Sequence, residues 1–172
     1  MIRRTAIIAT TATVIAFSNA AFAGNKIELT AHQAHDRYLA AINANDALAV
    51  LATVTEDVVF IPPNTPVVIG KAEVEPWVRG YFDKVETSWE KTSLEFVAAG
   101  DWAFERYRYK SIELPRDGGA AQVETGNGIN IYRLGADNIW RVARDVWVTD
   151  GSTADIWKTA ELPTCTVVTG PC

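Results

Sequence analysis

Apolar positions first recur at helical spacing between Thr30 and Asn45, where Ala34, Tyr38, Ala41 and Ile42 fall on one face. Thr30 followed by Gln33 is a capping-box pattern, so a helix is expected to begin there. Asn43-Ala44-Asn45-Asp46 should end it, and Asn45 or Asp46 can cap a second, shorter helix running to about Thr53. Glu56 to Ile61 reads as a strand stopped by Pro62-Pro63-Asn64, and Pro66 to Gly70 as a short extended piece. From Ala72 to Val85, the residues Val74, Trp77, Val78, Tyr81, Phe82 and Val85 return to the helical period. Pro76 is expected in or near the first turn of that helix, where a missing N–H costs little.

After Thr87 the period changes to two. Trp89 to Ala98 is a strand candidate, and Ala99-Gly100-Asp101 a turn. From Trp102 to Leu114, the set Ala103, Glu105, Tyr107 and Tyr109 alternates with Trp102, Phe104, Arg106 and Arg108. Alternation does not say which set faces the interior. A turn at Pro115 to Gly119 leads into Val123 to Leu134, and Gly135 to Asn138 into Ile139 to Thr149. Four strands joined by short turns predict an antiparallel meander. With three helices before it, the fold class is α+β, the helices packed on one face of a curved, mostly antiparallel sheet.

The chain start changes the count of residues that fold. Met1-Ile2-Arg3-Arg4, an uncharged run from Thr5 to Phe17, and Ala21-Phe22-Ala23 are the three parts of a secretory signal peptide. The run is interrupted by Thr and is short for a bilayer span, which needs about 20 apolar residues. Residues 1–23 are therefore expected to be a signal, residues 24–150 the folded domain, and residues 151–172 a tail. The protein is expected to be exported, to a periplasm or to the exterior. Cleavage removes two arginines and no acid, so the formal charge falls from −5 to −7. An acidic domain without a basic cluster argues against nucleic acid, and after cleavage against a membrane, as partner. Cys165 and Cys172, on either side of Gly170-Pro171, can form one short-range disulfide in an oxidising compartment. All six Trp and all five Tyr lie after the signal, a surplus that suits a cavity wall.

The order of these elements resembles the cone fold of the NTF2-like superfamily, and four segments carry the likeness. Asp36 to Asp46 resembles its opening helix and turn, and Gly70-Lys71-Ala72-Glu73 the entry to its third helix. Gly100-Asp101-Trp102-Ala103 resembles its central hairpin, and Trp140 to Asp150 the last strand of its SnoaL-like and DUF4440 branch. The resemblance implies an apolar cavity between the first helix and the concave sheet, and a homodimer through the outer face. It does not fix an activity, because members place different residues in the cavity.

Tyr38 falls at the position resembling the oxyanion-hole tyrosine of ketosteroid isomerases, and Asn130 where their partner aspartate stands. Together they could hold a carbonyl or hydroxyl oxygen. Alternatively Tyr38 packs in the core and bonds Asn130 or backbone. The isomerase base position falls on Pro62, which can neither take nor give a proton, so a faithful isomerase mechanism is not expected. Asp145 resembles the late-strand aspartate of SnoaL-like cyclases. Strict alternation would place it on one face with Arg141, Ala143 and Trp147, where an apolar cavity would raise its pKa and suit it to act as base. The alternative is an ion pair with Arg141, Arg106 or Arg108.

Glu105 can pair with Asp145, and Tyr107, Trp147, Trp77 and Tyr81 complete an expected substrate-binding wall. His32 and His35 lie one turn apart, but no third ligand pattern accompanies them, and exposed positions near the cavity mouth are expected. No metal or cofactor is implied. Two functions from different classes follow: acid–base chemistry, isomerase-, cyclase- or hydratase-like, on a small hydrophobic or aromatic molecule, or a non-catalytic ligand-binding or protein-association domain.

Overall fold

The computed structural model describes residues 16–151, with side chains from residue 30 onward. Most of the expected signal, as well as Cys165 and Cys172, lies outside the described residues. Helix α1 (Ala16–Asn43) contains Thr30 in its interior, so the capping-box pattern does not start it. A cap is worth about 1 kcal/mol, and the helix formers Lys26, Glu28 and Leu29 carry the helix past it. Helix α2 (Ala47–Ala52) follows, its first turn capped by Asp46, which accepts from the Ala49 N–H at 3.1 Å.

Strands β1 (Val54–Ile61) and β2 (Val68–Ile69) lead into helix α3 (Lys71–Lys84) through Gly70, whose φ of 83° needs glycine. Because α3 starts at Lys71, Pro76 lies in its second turn rather than its first, and one backbone hydrogen bond, to the Ala72 carbonyl, is lost. The remaining strands are β3 (Val85–Ala99), β4 (Trp102–Pro115), β5 (Gln122–Leu134) and β6 (Trp140–Thr149). They form one curved six-stranded sheet in the order β2-β1-β6-β5-β4-β3, in which only β1 and β6 run parallel. The fold is mixed α+β, as the pattern predicts.

The structure settles which face is inside. Ala103, Glu105, Tyr107, Tyr109 and Ser111 of β4 are buried, while Trp102, Phe104, Arg106 and Arg108 are exposed. Helix α1 covers this face with Ala31, Ala34, His35, Tyr38 and Ala41. His35 is thus a core residue, not the mouth residue its polarity suggested. Alternation fails in β6. The register against β5 shifts between Tyr132 and Ile131, leaving Ala143 as an extra residue. Val142 faces inward opposite Tyr132, and beyond the bulge Asp145 faces inward opposite Asn130. Arg141 therefore leaves the Asp145 face and pairs with Asp137 at 2.8 Å instead.

The α1–α2 corner is tied to β3 by two asparagines. Asn45 donates to the Thr87 carbonyl at 2.9 Å and accepts from the Thr87 N–H at 2.8 Å. Asn43 does the same for Trp89, at 3.0 and 2.7 Å. Each side-chain amide satisfies a peptide group on the sheet's outermost long strand. Among the described residues no helix is long and apolar enough to cross a membrane.

Candidate functional site

A cavity of about 540 Å³ opens between the helices and the inner face of the sheet. That volume suits a molecule of one to a few rings. Its walls are aromatic: Phe60 of β1, Trp77 and Tyr81 of α3, Trp89 of β3 and Trp147 of β6. Trp77 stacks on Tyr81 with ring centroids 6.1 Å apart, and meets Trp147 edge-on at 6.4 Å. Pro62 and Pro63, which end β1, line the same space, as does Pro76.

The cavity also reaches Tyr38, Lys91 and Asp145. Asp145 accepts hydrogen bonds from the Tyr38 hydroxyl at 2.8 Å and the Tyr107 hydroxyl at 2.9 Å, one on each carboxylate oxygen. Lys91 Nζ stands 3.9 Å from Asp145, and the two side chains are 1% and 4% exposed. Nζ also lies 3.4 Å from Asn130 Oδ1, and 4.1 and 5.0 Å from the ring centroids of Tyr107 and Tyr38. Such ring faces attract a cation. None of the three arginines considered as partners for Asp145 reaches it. Its neighbours are two phenols and a lysine.

A second buried cluster lies outside the cavity lining. Glu105 Oε2 accepts from His35 Nδ1 at 2.8 Å and from the Tyr132 hydroxyl at 2.7 Å. An ionised carboxylate only accepts, so Nδ1 carries the proton. Burial pushes Glu105 up, but the hydrogen bonds from His35 and Tyr132 outweigh it, and the carboxyl lies below its usual range. Burial pushes the hydroxyls of Tyr38, Tyr107 and Tyr132 well above their ordinary values, and the nearby carboxylates add to the effect. Burial pushes Lys91 down, against the pull of Asp145 and Glu105.

Of the residues expected at the site, Tyr38, Asp145, Trp147, Trp77 and Tyr81 meet at the cavity. Glu105 and Tyr107 do not line it. Glu105 is held by His35 and Tyr132, and the Tyr107 hydroxyl is turned to Asp145. Tyr38 and Asn130 do not converge on the cavity as a pair of donors either, since the Tyr38 hydroxyl serves Asp145, while Asn130, whose amide nitrogen has no hydrogen-bond partner among the described residues, does not line the cavity. Sequence reasoning missed Lys91. The signal was there, because Thr87, Trp89 and Lys91 share one face of β3 by period two.

A helical layer over the concave face of a mostly antiparallel sheet, with an aromatic cavity between them, defines an NTF2-like cone domain. Within that class the chain belongs to the SnoaL-like family, whose domain model matches residues 35–142. A ketosteroid isomerase-like protein from Erwinia carotovora atroseptica is similar in structure, with a TM-score of 0.69 and 27% identity over 74% of this chain and 98% of that one. A putative scytalone dehydratase from Novosphingobium aromaticivorans shares the fold, with a TM-score of 0.68 and 14% identity over 76% and 89% of the two chains. A putative dehydratase of the NTF2-like family from Streptomyces avermitilis does so too, with a TM-score of 0.65 and 15% identity over 72% and 96%. No curated protein matches the chain in sequence.

Proposed function

We propose that this protein binds a small hydrophobic or aromatic molecule in its cavity and moves a proton on it, in isomerase-, cyclase- or hydratase-like chemistry. The carrying observation is Asp145, a buried carboxylate on an aromatic cavity and fixed by Tyr38 and Tyr107. Asp145 is the base, with Lys91 Nζ 3.9 Å away. Tyr38 orients the carboxylate, and its hydroxyl exchanges partners if a ligand oxygen arrives. Pro62 at the end of β1 removes the isomerase base from this chain, so proton transfer falls to β6.

One observation favours a second reading, a binding domain without turnover. Both oxygens of Asp145 already accept a hydroxyl, so a structural carboxylate has the same surroundings. Export of the domain, cut from the basic and apolar leader, belongs to the same proposal. So does a homodimer through the outer sheet face, where Trp102, Phe104 and Ile129 are 40%, 36% and 43% exposed.

The test begins with native mass spectrometry of the protein from its source, to identify a retained molecule. That molecule is then incubated with the protein in heavy water. Deuterium should enter a carbon position with the wild type and not with Asp145→Asn, while both are stabilised thermally by the ligand. Stabilisation without exchange in the wild type selects the binding domain. No retained ligand and no stabilisation by aromatic compounds would overturn both readings.

A further inference from the structure

Proton transfer at Asp145 leaves Lys91 with no task beyond its charge. We propose that Lys91 is an amine nucleophile, and that the cavity takes an aromatic or apolar aldehyde or ketone and holds it as an imine on Nζ. The inference rests on reading the cavity as the site of a small apolar molecule, and adds the class of that molecule.

Three observations carry it. Lys91 is removed from bulk water yet lines the cavity, so its amine has the cavity as its approach. Its acceptors stand at 3.4 and 3.9 Å, beyond the roughly 2.7–2.9 Å of a strong charge-assisted hydrogen bond, so Nζ is not locked in a structural ion pair. The carboxylate of Asp145 already stands in this cavity. An anionic ligand would bring a second negative group into an apolar space beside it, and a neutral carbonyl brings none. Burial also works against the ammonium form, which favours free amine.

The step balances within the site. The Nζ lone pair forms a bond to the carbonyl carbon, and the carbonyl oxygen takes a proton to give a carbinolamine. The carbon–oxygen bond then breaks. Oxygen leaves as water with both protons of the original amine, and carbon and nitrogen share a double bond. Asp145 takes the proton from nitrogen and returns it to the departing hydroxyl, so no outside oxidant or reductant enters.

Anisaldehyde with cyanoborohydride traps such an imine as a stable secondary amine, located by peptide mass spectrometry of the full chain at neutral pH. The expected result is labelling of Lys91 several-fold faster than exposed Lys110, with anisyl alcohol, which lacks the carbonyl, slowing Lys91 alone. Lys91→Met should lose the fast label while Lys110 reacts as before. Labelling of Lys91 no faster than Lys110, with the alcohol still raising the melting temperature, would overturn the imine and leave the cavity reading standing. An alcohol that neither protects nor stabilises would sink the cavity reading itself.

Discussion

The ring of Tyr107 on β4 lies across Gly128 on β5, so closely that a Cβ built on the glycine falls 2.3 Å from the ring carbon Cζ. The two residues are directly paired in the sheet. The glycine makes room for the ring, and the ring delivers its hydroxyl to Asp145. Gly128→Ala should therefore displace Tyr107 and cost at least about 2 kcal/mol, as overpacking does. Urea unfolding measures the loss. The same variant should weaken any activity that depends on Asp145, although it touches no ligand.

Lys91 and Asp145 form a loose buried pair, and either charge alone is costly. Lys91→Met and Asp145→Asn are each expected to lose about 3 kcal/mol. The double variant should lose less than the sum, by roughly 1 kcal/mol or more, because no unpaired charge remains. A strictly additive cycle would show that the two side chains do not interact.

Alkaline pH should destabilise the protein. Burial raises Tyr38, Tyr107 and Tyr132 well above the ordinary value of 10.0, so the unfolded chain gives up those protons first. Their contribution is complete below pH 10 and is lost as pH climbs above it. Lys91 acts in the opposite direction, since its lowered value favours the fold as pH rises toward 10.5. Three groups outweigh one, so stability in urea should fall above about pH 10. In acid, the lowered value of Glu105 gives stability that is present above its ordinary 4.5 and lost as pH drops below.

Asn45→Ala removes both amide bonds to Thr87 and leaves a buried backbone group without its partner. A loss of about 1–3 kcal/mol is expected. Asn43→Ala, at an exposed position, should cost less, because water replaces the amide there. Equal losses would mean that the corner is not held at Thr87.

Much of this fold was legible from spacing. The four-strand meander and the α3 stripe from Val74 to Phe82 follow from periods of two and 3.6, since burial on one face dictates both. The start of α1 was not legible, because Thr30 satisfies a capping rule in a helix that has no end there. Tyr38 was singled out by its helix stripe and by resemblance to the isomerase tyrosine, and Asp145 by resemblance to a late-strand aspartate, not by its face. Arg141 was misplaced because one bulged residue, Ala143, reverses the alternation, and a bulge has no signature in Arg-Val-Ala-Arg-Asp. Lys91 was overlooked because a lysine in a strand is ordinarily solvated, and only the packing of three aromatic rings around it shows otherwise.

Strand β6 lies between β1 and β5, although it is made last of the six. A ribosome that has reached residue 139 has therefore made five strands that cannot yet join into one sheet, and the carboxylate that completes the cavity does not exist. Assembly of the sheet waits for the final strand to emerge, and a chain cut short before Trp140 lacks the strand that joins β1 to β5, leaving its two halves linked only through the helices, as by Asn45 to Thr87 and His35 to Glu105. Nascent chains of this protein should remain sensitive to protease until β6 has emerged, then become resistant in a single step.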